Sequence, residues 1–252
     1  MSKPISVVIG HGATALGSLA LVAAMILPLA PTAQASTIAP APAIYFVPHQ
    51  DDEVLSMGAD IAAHVAAGRR VILVLVTDGS ASGARATLCK VKAVCLAVPE
   101  FVAARDREFA ASAAALGVRP ADVFYEGKPD GKLTAADARA VIASWAARYP
   151  GSPLKTMSPH DAHPDHRVLG EALRSLRASG VTKDARFMQS RPYWTSMPVS
   201  GWFVAGSPRV GAAANAYRVY DPAAGRYAIG WTHSVPTAFT RLAADPRALV
   251  HR

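Results

Sequence analysis

The run Val71-Ile72-Leu73-Val74-Leu75-Val76, framed by Arg70 and Thr77, constrains the fold more than any other stretch of this chain. It is continuous, apolar and mostly β-branched. A strand with one face in water alternates apolar and polar residues; this one has to be covered on both faces, as a central strand of a parallel sheet is. Strand-like and helix-like blocks alternate around it. Ala43–Val47 is a short apolar run, and Val54, Met57, Gly58, Ile61 and Val65 recur at helical spacing until Gly68. A helix is predicted from about Glu100 to Leu116, closed by Gly117, with a brief strand at Val123–Tyr125. Thr134-Ala135-Ala136-Asp137 has the pattern of a capping box and opens a helix that carries Val141, Ile142 and Trp145 inward until Pro150-Gly151. Leu154–Met157 is a further strand, and the helix opening at Pro164 buries Leu169, Leu173 and Leu176 and ends at Gly180. Asp78–Pro99 reads as a long loop rich in Gly, Ser and Cys, of a length that is often functional. Beyond Asp184 the pattern is β-like and loop-rich. The alternation predicts an α/β fold: a Rossmann-like, open, mostly parallel sheet with helices on both faces and a β- and loop-rich C-terminal part.

Residues 1–35 read differently. Lys3 is their only charge, an apolar stretch is dense from Ala13 to Leu29, and Pro31-Thr32-Ala33-Gln34-Ala35 follows. That order predicts a secretory signal peptide cut after Ala35, an uncleaved anchor being the alternative. Ile5–Ile9 before Gly10-His11-Gly12-Ala13-Thr14-Ala15 imitates a dinucleotide-binding loop. The imitation fails because the continuation is apolar all round, is broken by Pro28 and Pro31, and meets no acid before Asp51. The expected organisation is therefore a signal peptide at 1–35, a linker at 36–42, one domain at 43–240 and a C-terminal tail at 241–252. The product is expected to be secreted, without a stable membrane span once the signal is cleaved.

With 51% hydrophobic and 17% charged residues, the composition is that of a globular domain. Loss of Lys3 with the leader takes the formal net charge from +8 to +7. A generally basic surface accounts for this, attraction to anionic polymers or lipid headgroups being the other reading; no lysine/arginine run of nucleic-acid type is present. Cys89 and Cys95 are the two cysteines, six positions apart, and in an exported chain they predict a disulfide closing a small ring, with free thiols as the alternative.

Two clusters carry the chemistry. His49-Gln50-Asp51-Asp52-Glu53 follows the first strand, and His160–His166 follows the strand at Leu154–Met157. Ligands of open parallel sheets bind beyond the carboxyl ends of the strands, so both clusters project into one crevice. His and Asp at close spacing are the donors of a catalytic zinc that leaves a position for water. His163 and His166 share one face of a helix start, whose N-terminus favours the neutral rings that metal binding needs.

Pro48-His49-Gln50-Asp51-Asp52-Glu53 together with Asp161-Ala162-His163-Pro164-Asp165-His166-Arg167 resembles the LmbE/PIG-L family of zinc-dependent de-N-acetylases. Thr77-Asp78-Gly79 after the second strand, Arg105 and Glu108 in an R-x-x-E helix, Pro129-Asp130-Gly131 and the stretch Gly230–Pro236 are similar to the family as well, a resemblance spanning roughly residues 43 to 240. It implies His49, Asp52 and His166 as ligands of Zn2+ or another divalent metal, and Asp51 as the general base. His163 would stabilise the oxyanion or protonate the leaving amine, with Asp165 orienting that imidazole or facing solvent. Arg105 and Asp130 would contact substrate hydroxyl or phosphate groups. One departure is Gln50, where the family usually has Pro; glutamine keeps a backbone N–H and adds an amide, which bears on substrate more than on chemistry.

Blander readings stand beside these. An Asp-Asp-Glu can be a helix N-terminal acid cluster, and two close histidines can be a surface pair. His160 reads as a rim residue and His64 as an exposed helical histidine. His233 either lines the cleft or packs. Trp194, Trp202 and Trp231 either form a sugar-stacking wall or pack in the core and rim. The leading expectation is a secreted hydrolase that removes an N-acetyl or other N-acyl group from an amino sugar or glycoconjugate, acting on a small-molecule or glycan substrate with no nucleic-acid partner. The alternatives are cleavage of another ester or amide and a non-catalytic glycan-binding protein on the same fold.

Overall fold

The computed structural model describes residues 40–234 and 237–252; the leader and the first part of the linker expected from sequence lie outside them. Chain order runs β1 (Ala43–Val47), α1 (Asp52–Leu55), α2 (Gly58–Ala66), β2 (Val71–Thr77), α3 (Ala84–Lys92), α4 (Val98–Leu116), β3 (Val123–Lys128), α5 (Ala135–Arg148), β4 (Leu154–Met157) and α6 (Pro164–Ala178). It continues through β5 (Ala185–Gln189), β6 (Gly201–Val204), α7 (Pro208–Ala216), the two-residue strands β7 (Tyr220–Asp221) and β8 (Arg226–Tyr227), α8 (Ile229–Ser234), α9 (Ala238–Ala244) and β9 (Ala248–His251).

Seven strands form one sheet in the order β3-β2-β1-β4-β5-β9-β6, and β1 to β5 run parallel. The periodicity of two explains the layers. Ala43, Tyr45 and Val47 of β1 and Val71, Leu73 and Leu75 of β2 face one core, with Phe109 and Leu116 of α4, Val210 of α7 and Leu242 of α9. Ile44, Phe46, Ile72, Val74 and Val76 face the other, closed by Val141, Ile142 and Trp145 of α5 and Leu169, Leu173 and Leu176 of α6. Burying each such side chain contributes about 1.5–3 kcal/mol, so a strand covered on both sides, as β2 is, anchors the whole sheet. At α5, Thr134 Oγ accepts the Asp137 N–H at 3.0 Å, the capping arrangement expected from sequence.

The structure departs from expectation in the 78–99 stretch, in the C-terminal part and at His64. The stretch 78–99 contains the helix α3, whose Ala84 and Leu88 pack on Phe101, Ala104 and Ile229. Residues 241–252 are no tail: β9 lies inside the sheet, antiparallel to both β5 and β6. Its four residues are too few to show a pattern alone, and they become a strand because β5 and β6 offer open hydrogen-bonding edges on either side. The C-terminal part also holds α7, α8 and α9 beside its strands. His64 is half-buried, with Nε2 2.7 Å from Lys155 Nζ, which in turn donates to Asp60 at 2.6 Å. Among the described residues no helix is long and apolar enough to cross a membrane.

The turn before β3 is held by Asp122, which accepts from Arg70 at 2.6 Å and Arg119 at 2.7 Å. Burial opposes its charge, but these guanidinium groups outweigh it and hold the carboxyl below the usual range. A depressed carboxylate stabilises the fold above its unfolded pKa of about 4 and stops doing so as pH falls through the folded value. Asp122→Asn is expected to lower stability at pH 7 by about 1 kcal/mol, since both arginines reach solvent. In urea titrations the gap between the two proteins should be full at pH 7 and shrink as pH falls below about 4; a gap independent of pH would contradict this ion-pair account.

Candidate active site

The strand order reverses between β1 and β4, the neighbouring strands at the centre of the sheet. A crevice opens at the carboxyl ends of strands that diverge in this way. His49–Glu53 leaves β1 there, and Asp161–His166 leaves β4 beside it.

His49 Nδ1, Asp52 Oδ2 and His166 Nε2 form a triangle with sides of 3.2, 3.2 and 3.0 Å. Donor atoms of a tetrahedral zinc with bonds of about 2.0–2.1 Å stand about 3.3 Å apart, so the triangle has the span of one face of such a centre. The outer nitrogens of the two rings face other carboxylates, that of His49 within hydrogen-bond reach and that of His166 without a hydrogen bond. His49 Nε2 faces Asp165 Oδ2 at 3.1 Å and Asp130 Oδ1 at 3.2 Å, and His166 Nδ1 faces Asp161 Oδ2 at 3.4 Å. Protons on those outer nitrogens leave two lone pairs pointing at each other and at a carboxylate, an arrangement that a cation between them relieves. The electrostatics agree. Burial favours neutral rings, yet the carboxylates outweigh it: His166 is pushed up to about 9 and His49 well above its usual range. Burial likewise opposes ionisation of Asp52, but His166 and His49 hold it well below the carboxylate range. The donor set fits a divalent cation, which would displace any proton from the inner nitrogens, His49 Nδ1 and His166 Nε2, and leave the outer ones in place.

Two other groups of donors lie within 4.8 Å, His49-His163-His166 and His49-Asp130-Asp165. In the second, Asp165 is already engaged: 1% exposed, it accepts N–H groups of Gly131 at 2.8 Å and Leu133 at 3.2 Å besides facing His49. It orients His49, where the sequence reading offered orientation of His163 or exposure to solvent. The helix geometry explains the difference: His163 is the exposed N-cap of α6, and Asp165 lies inside its first turn. His163 stands with its ring 4.6 Å from that of His49 and 4.7 Å from that of His166. Burial and those two rings lower its pKa and favour a neutral ring. For His166 the neighbouring carboxylates reverse that preference.

Asp51 occupies a left-handed conformation, φ 115°, uncommon for a residue with a Cβ. Its N–H donates to Glu53 Oε2 at 3.0 Å, and Glu53 Oε1 accepts the Tyr217 hydroxyl at 2.8 Å. Glu53 is fully buried, and burial pushes its carboxyl up to about 8. Burial and the adjacent Asp52 raise Asp51 to about 7, against the pull of Arg105 and the two histidines. Arg105 donates to Gln50 O at 2.6 Å and Gly79 O at 3.2 Å, with Asp51 Oδ2 at 3.9 Å.

Gln50 points away from the donor triangle, its amide donating to Asp106 at 2.8 Å and to Asp78 O at 3.2 Å. A Cβ at Gly79 would stand 2.1 Å from Gln50 Oε1, so the loop after β2 closes over this side chain only with glycine there. Asp78 Oδ1 in turn accepts the Asp130 N–H at 3.2 Å and so fixes the Pro129–Gly131 loop. The roles of Glu53, Tyr217, Asp161 and Asp78 as supports were not assigned from sequence. Three of them sit within motifs that are legible there, whereas Tyr217 carries no signal at all.

The cleft over the triangle has a volume of about 450 Å³ and is bordered by Asp51, Arg105, Asp130, His163, Ser82 and His233. His233 therefore lies at its rim. The tryptophans pack elsewhere: Trp194 against Phe203 with Nε1 donating to Gln189 O, Trp231 against Phe239, and Trp202 exposed on β6. His160 stays outside the donor set, its ring 6.1 Å from that of His251.

Residues 44–176 match the PIG-L family, described as GlcNAc-PI de-N-acetylase. The chain belongs to the PIG-L family. The match includes both chemical clusters, Arg105 and Asp130, and the family's enzymes cleave a linear N-acyl amide. No curated protein matches this PIG-L chain. Among solved structures, the A40926 pseudoaglycone deacetylase Dbv21 is 22% identical with a TM-score of 0.61, the match covering 84% of this chain and 98% of that one. The N,N'-diacetylchitobiose deacetylase from Pyrococcus horikoshii is 16% identical with a TM-score of 0.53, over 82% of this chain and 81% of that one. The 4-carboxy-2-hydroxymuconate hydratase GalB from Pseudomonas putida KT2440 is 18% identical with a TM-score of 0.54, over 81% and 84%. These likenesses establish the PIG-L chain's fold; that fold carries more than one chemistry.

Cys89 and Cys95 form a disulfide with Cα atoms 4.4 Å apart. It ties the end of α3 to the approach of α4, and α3 starts directly after Ala81–Gly83, which border the cleft. The double variant Cys89→Ser/Cys95→Ser is expected to lose about 2 kcal/mol of stability, the ring being short. It should raise KM roughly three- to tenfold with kcat little changed. A KM equal to that of the parent would show that the staple does not shape the cleft.

Proposed function

We propose that this chain is a metal-dependent hydrolase that removes an N-acetyl or other N-acyl group from an amino sugar or glycoconjugate. The observation that carries the reading is the triangle of His49 Nδ1, Asp52 Oδ2 and His166 Nε2 beneath a polar cleft, with Asp51 and His163 beside it. These three residues would hold the cation, zinc by the nature of the donors. When bound, such a cation lowers the pKa of a water towards about 7 and polarises the scissile carbonyl. Asp51 takes the proton of the attacking water, and the raised value of its carboxyl suits a base working near neutrality. His163, at the cleft and with no carboxylate bonded to its ring, donates a hydrogen bond to the developing oxyanion, and the proton that Asp51 takes from the water passes on to the leaving amine. Arg105 and Asp130 at the cleft wall contact substrate hydroxyls. The family and the deacetylases among the structural neighbours support amide over ester as the scissile bond.

Residues 1–35 are proposed to be a secretory signal cut after Ala35, followed by a linker to residue 42, which puts the reaction outside the cytoplasm. The single charge at Lys3, the apolar stretch and the Ala-x-Ala end support this. The reaction is tested with a panel of N-acetylated glucosaminides, reading free amine and acetate. Equal release of both is expected, abolished by a chelator and restored by a divalent metal. Cleavage of acetyl esters with no amine released would overturn the reading.

A further inference from the structure

The donor triangle borders a second cavity. Asp52 and His166, together with His163 and Leu55, line both the polar cleft and a separate compartment of about 250 Å³. The two differ in chemistry. The cleft presents Asp51, Arg105 and Asp130, whereas the compartment adds Pro192, Tyr193 and Ala238 beside Ser56, Thr237 and Arg241, and most of the surface it exposes is apolar. Its wall is a built one. Arg191, also at the compartment, donates through Nε to Leu55 O at 3.2 Å and through a terminal nitrogen to Arg247 O at 2.6 Å, while its guanidinium lies 4.6 Å from the Trp194 ring centroid. Those bonds pin α1 to the segment after β5 and leave this guanidinium occupied with carbonyls.

A scissile amide at the triangle has two substituents that must leave in different directions. The hydroxyl-rich amine side matches the polar cleft, so the acyl side faces the apolar compartment. A methylene takes up about the room of a water molecule, about 30 Å³. An acetyl methyl would leave most of the compartment empty, whereas an acyl chain of about six to eight carbons would fill it. We propose that the compartment lined by Leu55, Pro192, Tyr193 and Ala238 is an acyl-chain site and that the chain prefers N-acyl amino sugars with a medium-length acyl group over N-acetyl ones. This rests on the N-acyl hydrolase reading and narrows its substrate class. The balance is that of hydrolysis: the C–N bond breaks, water supplies the new C–O bond, the amine leaves with a proton, and a medium-chain carboxylic acid is released.

The test is a series of glucosamines carrying N-acetyl, N-butyryl, N-hexanoyl and N-octanoyl groups, read by free amine. The expected result is a kcat/KM at least about tenfold higher for hexanoyl than for acetyl, from burial of the added methylenes. Ala238→Trp, which narrows the compartment, should lower the hexanoyl-to-acetyl ratio at least about tenfold. Calorimetric titration of the unmodified protein should show hexanoate binding more tightly than acetate, a difference that Ala238→Trp removes. Preference for acetyl, with a ratio untouched by Ala238→Trp, would overturn the acyl-chain site while leaving N-acyl hydrolysis intact. Release of amine from none of the four would remove the underlying reading and this proposal with it.

Discussion

Asp51→Asn is expected to lower kcat about 10³-fold while metal content and thermal stability stay at the level of the parent protein. General-base catalysis by a positioned group contributes about 10²–10⁴-fold, and the amide keeps the size of the carboxylate but takes no proton. Asparagine also tolerates the left-handed backbone of this position, φ 115°, and its N–H can still donate to Glu53. The loss should therefore fall on turnover rather than on folding. The parent's rate should rise with pH as Asp51 loses its proton and then level off. That limb lies at about pH 7 or below, since burial and Asp52 raise this carboxyl to about 7 and a cation beside it pulls the value down. Turnover by Asp51→Asn within threefold of the parent would place the base elsewhere.

The second large effect is at Asp165. This buried carboxylate serves His49 Nε2 and the backbone N–H groups of Gly131 and Leu133 together. Asp165→Asn offers one acceptor oxygen where two were used and turns an N–H donor towards groups that are themselves donors. Metal affinity is expected to fall about 10–100-fold, the usual effect of losing the partner that fixes a ligand ring. Stability should fall by about 1–3 kcal/mol for the stranded donors. Equilibrium dialysis and urea unfolding read the two effects separately. A variant that binds metal as tightly as the parent would show that Asp165 braces only the Gly131 loop.

The parts of this molecule legible in its sequence are those where one physical requirement dominates. β1 and β2 declare themselves because a strand covered on both faces needs apolar residues at every position. The candidate site is legible because its histidines and carboxylates are crowded into two short segments that follow strands. What stayed hidden depended on partners distant in the chain. β9 is four residues whose strand character comes from β5 and β6. α3 buries little beyond Ala84 and Leu88, so its helical period is weak against a background of Gly and Ser. Asp165 is two residues from His163 yet serves His49, because a helix start turns neighbours to different sides. Tyr217 reaches Glu53 across 164 positions, and no local pattern announces that contact. Gln50 marks a departure from the usual proline, and its amide braces the loop after β2 at Asp106 and Asp78 without lining the cleft.

The central claim is that His49, Asp52 and His166 hold one divalent cation. Elemental analysis of the purified protein after zinc loading and dialysis tests it directly, with His49→Ala and His166→Ala as comparisons. The account predicts about one zinc per chain in the parent and less than about one tenth in either variant, each folded by circular dichroism. Parent protein that retains no zinc, or variants that retain it fully, would contradict the account.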